Sequence, residues 1–546
     1  MALLFDLFGY LSIVLHGLTI AAQAACLGGI VFLLCLARPL AGSLGVKGAE
    51  ITTGVRRIAA IAACALAGAE AVKLTLQTAI LISTVSLSLA QSLGAMFALA
   101  GLVKIAAALL VAVLMRRPAP PQALLLATAA VILAAATLTT HAAARIEGRT
   151  PLLVISALHQ LGAAIWIGGL PCFVWALTRV DSGVAWRLIG ARYSRLSMLG
   201  VGAILVSALL LAIAYIGSWQ GLYGTAYGVM VGAKLAMLGL LLLLGLGNFM
   251  LIARLRADPG TPILRLRRFV EAEIGIGLTI FFAASSLTSV PPAIDVVRDQ
   301  VTWQEIVERN APRWPRLVSP DHDALALPAL QAKLDSETTG HGHQIAFTPG
   351  AGQMPPRNAA DVAWSEYNHH WAGIFVVLIG ILALLERAGL RMARHWPLVF
   401  LGLAGFLFLR SDPEVWPLGS IGFWESLRDV EVLQHRITAL LVAVFALFEW
   451  RVRAGNLAHS RAALVFPLLC AVGGMLLLTH SHAIANSKEQ LLIEISHTPL
   501  ALTGLIAGWA RWLEIRLDGP VARAAGWVWP VCLLLVGFIL LGYREA

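Results

Sequence analysis

Apolar runs long enough to cross a bilayer recur along nearly the whole chain, and short polar loops separate them. A spanning helix needs about 20 apolar residues, and no segment alternates polar and apolar positions as a strand does. The pattern predicts an all-α polytopic integral membrane helix bundle of about 14 transmembrane helices, eight and then six. The predicted spans are roughly 7–36, 55–82, 94–115, 121–141, 152–177, 196–216, 227–253, 269–291, 367–386, 396–410, 430–450, 461–480, 489–510 and 525–543.

A polar stretch between the two sets of spans predicts the domain organisation. It is rich in Pro, Asp and Arg, as in "APRWPRLVSPDHDALALP", a composition typical of a linker with little regular structure. We therefore expect an eight-helix membrane domain over 1–291, a linker over 292–365 and a six-helix membrane domain over 366–546.

The composition supports a membrane protein over a soluble one. Of 546 residues, 59% are hydrophobic and 13% are charged, and the mean hydropathy is +0.81, whereas soluble domains carry about 25% charged residues. The net charge of +10 reflects basic residues in short loops, so we expect membrane lipid as the surroundings and no nucleic acid. The chain shows no nucleotide-binding motif or catalytic nucleophile motif in a suitable context, and we expect no enzymatic activity.

The loop charges predict the orientation. One alternating group of loops holds 24 Lys and Arg residues, while the opposite short loops and the C-terminus hold seven. Cytoplasmic loops carry the excess of basic residues. Both termini and the linker are therefore predicted to lie outside the cytoplasm.

Histidines show the opposite distribution to Lys and Arg. In this orientation only two of the 14 histidines, His395 and His459, are cytoplasmic. The others lie in the outer half or near the membrane centre. Each alone could cap a helix end, but the clustering indicates that the outer face binds something.

In the second domain, carboxylates and histidines repeat at helical spacing. Glu366 precedes His369 and His370, Glu431 precedes His435, and Glu494 precedes His497 by three or four residues, so each pair shares a helix face. Such pairs on facing helices form metal sites in bundles, although an acidic first turn also favours the helix dipole. We predict an outward-facing metal site formed by His370, His435, His480, His482, His497, Glu431 and Glu494. Imidazole with carboxylate suits Cu(II), Zn or Fe, and His pairs can also hold haem b.

Ionisable residues inside the first domain raise a second question. Glu70 and Lys73 lie three apart in the second span and Lys104 lies in the third. Charge inside a membrane is costly and needs a partner or a function. The three residues form either an ion pair that joins the two helices or a polar relay for an ion or a coupled proton. Asn248, Glu271 and Glu273 would continue such a relay on the cytoplasmic side.

The fifth span, "SALHQLGAAIWIGGLPCF", places His159 and Trp166 on one face beside Gly162, Ala163 and Gly169. Small residues on that face let a second helix approach closely. His159 is then either a ligand or a hydrogen-bond partner between helices.

These residues, with the later "RYSRLSMLGVGAILVSALLLA", resemble the copper resistance protein D family of bacterial inner-membrane proteins. The resemblance covers about 1–295 and is strongest over 150–290. The linker phrase "VTWQEIVERNAPRWPRLVSPDHDALALPALQA" and the C-terminal bundle resemble the extended, two-part members. The resemblance implies copper movement from the periplasm towards the cytoplasm, often alongside a periplasmic copper chaperone. It assigns the outer-side histidine of the family to His159, with His16 as its companion.

Three functions are consistent with the sequence. The first is a transporter that binds copper at the outer face of the bacterial inner membrane and passes it inward. The second is a membrane redox protein with b-type haem. The third is a copper sensor or delivery factor without transport. Bound metal and the visible spectrum would distinguish them, because only haem gives a Soret band.

Overall fold

Helices form almost all of the chain in the computed structural model, which describes residues 2–85, 87–320, 359–413, 415–455, 457, 460–479 and 487–545. We number fourteen of them in chain order. They are α1 Phe8–Ala41, α2 Gly45–Val85, α3 Met96–Arg116, α4 Gln122–Thr137, α5 Arg149–Thr178, α6 Gly183–Tyr215, α7 Ala226–Ala257, α8 Leu264–Leu287, α9 Ala359–Arg387, α10 Arg391–Arg410, α11 Val430–Ala454, α12 Arg461–Leu477, α13 Ser487–Arg516 and α14 Gly519–Leu541.

Twelve of these helices are long and apolar enough to cross a membrane, while α4 and α12 are shorter apolar helices. No strand occurs in the described part of the chain. The predicted all-α polytopic class is therefore confirmed, but the predicted number of 14 spans is not. The shortest predicted span, 396–410, belongs to the 20-residue α10 because the 3₁₀-helical turns Arg391–Leu398 extend it.

Glycines bring α1 and α5 into backbone contact in the first half. A Cβ atom added to Gly28 would lie 2.3 Å from the carbonyl oxygen of Ala164, and one added to Gly168 would lie 1.9 Å from that of Ala24. Only residues without a Cβ allow two helices to approach this closely. The π-helical turns Ala164–Gly168 of α5 lie at the same contact. This packing fixes the segment that follows His159.

The two halves of the chain share a hydrophobic core. Ala471, Leu478, Ala501 and Leu505 of the second half belong to the same buried cluster as residues of α1, α5 and α8. Helix α13 packs on α7 and α8, and α12 also packs on α8. The shared core does not test the predicted division of the chain into domains. That division, at 1–291, 292–365 and 366–546, stays a prediction.

The first part of the predicted linker lies on the second half. The short helix Trp303–Arg309 is held by Lys488 Nζ, which lies 3.0 Å from Glu305 Oε1. Arg309 Nη2 donates a hydrogen bond to the carbonyl oxygen of Arg544 at 3.1 Å. The linker therefore covers the ends of α13 and α14 that the loop charges place outside the cytoplasm.

Candidate metal centre

Two imidazoles from different helices face each other beside the last residues of the chain. His369 of α9 and His497 of α13 have ring centroids 6.5 Å apart and ring planes at 81°. The ring of Tyr543 stacks on His369 with centroids 3.8 Å apart, and it meets the His497 ring edge to face at 5.8 Å. Both imidazoles are half-buried. The aromatic ring thus holds the two imidazoles in a fixed mutual orientation.

The hydrogen bonds of this pair define which ring nitrogen can bind a metal ion. His369 Nδ1 lies 2.8 Å from the carbonyl oxygen of Ser365, and His497 Nδ1 lies 2.9 Å from that of Ile493. A carbonyl oxygen only accepts, so each Nδ1 carries the proton and each neutral ring has its lone pair on Nε2. Metal-ligating histidines are held in the same way, with the other ring nitrogen donating to a carbonyl or carboxylate.

A carboxylate lies beside the pair. Glu545 is 5% exposed, and its Oε2 accepts a hydrogen bond from the Tyr543 hydroxyl at 2.8 Å. The Ser365 hydroxyl also donates to Glu545 Oε2. Because Ser365 is one helical turn before His369, the carboxylate lies on the His369 side of the cluster. Imidazole and carboxylate are the donor types that the sequence predicted for a metal site, but these three residues differ in part from the predicted ones and do not lie close enough to hold one ion.

His370, the residue selected from the sequence, has a different environment from His369. It is 1% exposed, its Nδ1 accepts from the backbone N–H of Arg316 at 2.7 Å, and its Nε2 lies 3.0 Å from the carbonyl oxygen of Tyr543. Both ring nitrogens are therefore engaged by backbone groups. In this arrangement His370 joins the linker to the end of α14 and has no nitrogen left for a metal ion.

His435 of α11 pairs with an acidic residue that the sequence did not single out. Its Nδ1 lies 2.6 Å from Oδ1 of Asp412, which follows α10 and is 8% exposed. The His435 side chain is 41% exposed. The pair joins α11 to the end of α10, and a protonated imidazole would strengthen it.

The described residues do not test the predicted seven-residue cluster as a whole. Glu494 is 7% exposed, and its Oε2 accepts from the Thr498 hydroxyl at 3.3 Å. His480, His482 and the side chain of Glu431 lie outside the described residues. Within the described ranges, no three His, Cys, Asp or Glu side chains lie close enough to hold one metal ion. The full cluster therefore stays a prediction.

In the first half, His159 lies where α5 crosses α6. Its Nδ1 is 3.0 Å from Ser207 Oγ, and the Ser207 hydroxyl donates to the carbonyl oxygen of Ala203 at 2.6 Å. The Ser207 oxygen therefore accepts from Nδ1–H, and Nε2 of His159 carries the lone pair. A Cβ atom on Gly162 would lie 2.8 Å from the Gly200 carbonyl oxygen. The predicted close helix approach at Gly162 is confirmed.

His16 of α1 lies in another charged environment. The charges of Lys73 and Lys104 act on His16, whereas the charge of Lys234 acts on His159. Thr19 Oγ1 lies 3.3 Å from His16 Nδ1. Different charged residues thus act on His16 and His159. The prediction that the two histidines act together is not tested by these contacts.

The three charged residues of the first half form a buried cluster. Glu70 Oε1 lies 2.8 Å from Lys73 Nζ, and its Oε2 lies 3.2 Å from Lys104 Nζ. All three side chains are at most 8% exposed. One carboxylate is shared between two ammonium groups, so the cluster joins α2 to α3 and carries an excess positive charge when both lysines are protonated.

Several residues of these sites were not selected from the sequence, namely His369, Asp412, Ser207, Tyr543 and Glu545. One signal was available for His369. Ser365 and Gly373 lie four residues before and after it, and a Cβ atom on Gly373 would lie 2.8 Å from the backbone nitrogen of Leu541. Small residues at that spacing mark the face of α9 that packs on another helix. Asp412, Tyr543 and Glu545 are distant in sequence and carry no such signal.

Helices, buried intramembrane charge and paired imidazoles define an all-α multi-pass membrane protein with candidate metal ligands. Residues 187–287 match the family described as Copper resistance protein D. The match confirms the resemblance drawn from the sequence over those residues. They include α6, α7 and α8, which carry Ser207, Asn248 and Glu273.

A protein named for copper transport is similar to part of the chain. The Copper transport protein CutJ of Bacillus subtilis (strain 168) is 32% identical over 157 residues, which are 28% of this chain and 28% of that protein. The chain therefore spans little more than a quarter of the length of this curated relative. No solved structure matches. Both descriptions refer to copper and neither refers to haem.

Proposed function

We propose that the protein binds copper ions at the outer face of the bacterial inner membrane and moves them towards the cytoplasm. The observation that carries the proposal is the facing pair His369 and His497, whose Nδ1–H groups donate to backbone carbonyls, which puts the lone pair of each neutral ring on Nε2. The family match over 187–287 and the copper transport relative support copper as the cargo.

Copper capture is assigned to this pair together with the loop that precedes α13. His480 and His482 lie 17 and 15 residues before His497 in the sequence, and we propose that they complete a coordination sphere that two imidazoles only begin. Glu545 lies beside the pair and would balance the charge of the ion. Nitrogen and carboxylate donors favour Cu(II) over Cu(I). A periplasmic copper chaperone would deliver the ion to this face.

His159 is the proposed second position along the path. Its tautomer is set by Ser207 in the same way that backbone carbonyls set those of the outer pair. The Glu70–Lys73–Lys104 cluster is unsuited to bind a copper ion because its excess positive charge repels a cation. Its proposed role is to hold α2 against α3 and to serve as a polar relay for a proton.

Metal titration of the purified full-length protein tests the capture site. His369→Ala and His497→Ala should each weaken Cu(II) binding by about 10- to 100-fold, the usual cost of losing a ligand or its support. His395→Ala is the control, because His395 accepts from Trp450 Nε1 at 2.8 Å on the predicted cytoplasmic side. Unchanged Cu(II) affinity in both variants would reject the capture site.

Copper flux into proteoliposomes tests the direction and the transport function. We expect the parent protein to accumulate copper inside vesicles in which the 292–365 segment faces the bath, and His497→Ala to slow uptake at low copper. Binding without flux would instead indicate a sensor or delivery factor. A Soret band in the purified protein would indicate haem.

A further inference from the structure

A partly open cavity lies between helices of the first half. It has a volume of about 310 Å³ and is bordered by α5, α6, α7 and α8. Most of its lining is apolar, including Trp166, Leu170 and Phe173, and its polar groups include Tyr193, Asn248 and Glu273. Of its 16 lining residues, 13 lie within the family-matched region 187–287.

Glu273 is the acidic group of this cavity. It is 2% exposed, and its Oε1 accepts a hydrogen bond from Asn248 Nδ2 at 3.0 Å. Across the described residues no Lys, Arg or His is paired with it. This differs from Glu70, which contacts two lysines. A buried carboxylate without a cation is strongly disfavoured, so Glu273 is stable either as the neutral acid or with a cation beside it.

The surrounding elements supply no compensating charge. Arg268 of α8 and Arg516 of α13 contact Glu271, two residues before Glu273. The titratable group that faces Glu273 from α6 is Tyr193, whose hydroxyl donates to the carbonyl oxygen of Trp166 at 2.6 Å. The buried thiol of Cys172 on α5 lies near Tyr193.

Asn248 is placed to serve both protonation states of Glu273. Its Oδ1 is buried and has no hydrogen-bond partner within the described part of the chain. When Glu273 is ionised, Asn248 Nδ2 donates to it, and when Glu273 is protonated, the amide can rotate so that Oδ1 accepts the new O–H. A Cβ atom on Gly245 would still lie 3.7 Å from Glu273 Oε1, so there is free space beside the carboxyl group.

We propose that Glu273 is a proton-binding carboxyl group that loads and releases a proton through this cavity. Glu273 lies nine residues into α8, after a helix start with Arg265, Arg267 and Arg268, which places the cavity in the predicted cytoplasmic half of the membrane. Glu273 takes up the proton from water in the cavity, and on release the proton returns to that water. That this proton is coupled to copper movement rests on the function proposed above.

A hydrophobic carbodiimide tests the protonation without any copper. The reagent adds to a protonated carboxyl group, takes up its proton and rearranges to a stable N-acylurea with no leaving group. In the full-length protein, mass spectrometry should find the adduct on Glu273, and the labelled fraction should fall as the pH rises from 5.5 to 9. Glu273→Gln should abolish that adduct, and the ion-paired Glu70 should stay unlabelled as the internal control.

A second variant distinguishes proton binding from a packing role. Asn248→Leu removes a donor to the ionised form of Glu273, so the midpoint of the labelling curve should move up by roughly one pH unit. Absence of an adduct on Glu273, or a labelled fraction that does not change between pH 5.5 and 9, would overturn the proposal.

Proteoliposomes test the coupling separately. Glu273→Gln should keep the Cu(II) affinity of the parent, while its copper uptake should lose the dependence on a pH gradient that the parent shows. Equal gradient dependence in parent and variant would reject coupling at Glu273. A parent protein that moves no copper would contradict the proposed transport, and the labelling experiment would still decide whether Glu273 binds a proton.

Discussion

The ring of Tyr543 stacks on the imidazole of His369 with 3.8 Å between ring centroids, and the two side chains come from opposite ends of the second half. The backbone carbonyl of the same tyrosine lies 3.0 Å from Nε2 of His370. Two adjacent histidines therefore contact one residue in two ways. Ring stacking orients His369, the proposed ligand, and a backbone hydrogen bond fixes His370.

This difference predicts different phenotypes for the two histidines. His370→Ala leaves the Arg316 N–H and the Tyr543 carbonyl without their buried partner, which should cost about 1–3 kcal/mol of unfolding free energy. His369→Ala should leave the free energy of unfolding nearly unchanged and weaken Cu(II) binding instead. Thermal unfolding and metal titration of both purified variants measure the two effects. Loss of Cu(II) affinity in folded His370→Ala, with unchanged stability, would reverse the assignment.

His159 is expected to act in copper movement, and Ser207 to act through it. His159→Ala should lower cellular copper accumulation while leaving membrane insertion intact. Ser207→Ala keeps the imidazole but removes the acceptor for Nδ1–H, so its effect should be smaller and in the same direction. Copper is measured in cells at matched expression. Parental accumulation in both variants would reduce His159 to a packing residue of the α5–α6 crossing.

The orientation can be tested independently of any metal. The loop charges predict that a reporter fused after residue 118 or 258 reports the cytoplasm and one fused after residue 330 reports the outside. Paired reporters that are active on only one side of the membrane provide the measurement. A cytoplasmic signal from residue 330 would invert the orientation and place the His369–His497 pair inside the cell.

The contact between the linker and α13 predicts a dependence on pH. Hydrogen bonds from the Thr302 backbone, together with Lys488, lower the pKa of Glu305 from its usual range to about 2. A depressed carboxyl pKa adds stability above the ordinary value and loses it as the pH falls towards the folded value. Amide exchange in Trp303–Arg309, corrected for intrinsic rates, should therefore stay slow from pH 7 to 5 and rise below about pH 4.

Glu305→Gln should raise exchange in this helix already at pH 7. Glu308→Gln is the matched control, because Glu308 lies on the same helix and accepts only from Gln304 at 2.9 Å among the described contacts. Equal exchange in the two variants would show that the Glu305–Lys488 contact does not hold the linker.

The sequence predicted the helices well and the site less well, for physical reasons. A span is a local property, because about 20 apolar residues must follow one another in the chain. Adjacent residues on a helix, in contrast, point about 100° apart, so the pattern "EYNHH" alone does not tell whether His369 or His370 faces a partner. The environments of the two histidines are determined by Tyr543 and Arg316, which are far away in sequence.

Buried charge shows the same limit. Local spacing identified Glu70 with Lys73 because they lie three apart, and Lys104 followed from its unusual place in a span. Nothing local distinguishes Glu273, which has no charged partner in the described part of the chain, from Glu271, which contacts two arginines. The difference arises from the arrangement of α7, α8 and α13.

Trp509 of α13 occupies the space above Gly275 of α8, where an added Cβ atom would lie 1.6 Å from its Cζ2. A chain cleaved in the linker would therefore yield two fragments with complementary apolar surfaces. The first fragment would expose the notch at Gly275, and the second would expose the indole of Trp509. We expect the pieces to be recovered together when both are synthesised in one cell, and Gly275→Leu to prevent that recovery. The second half is therefore better regarded as a part that the first half needs to cover its apolar surface than as a separate domain attached to it.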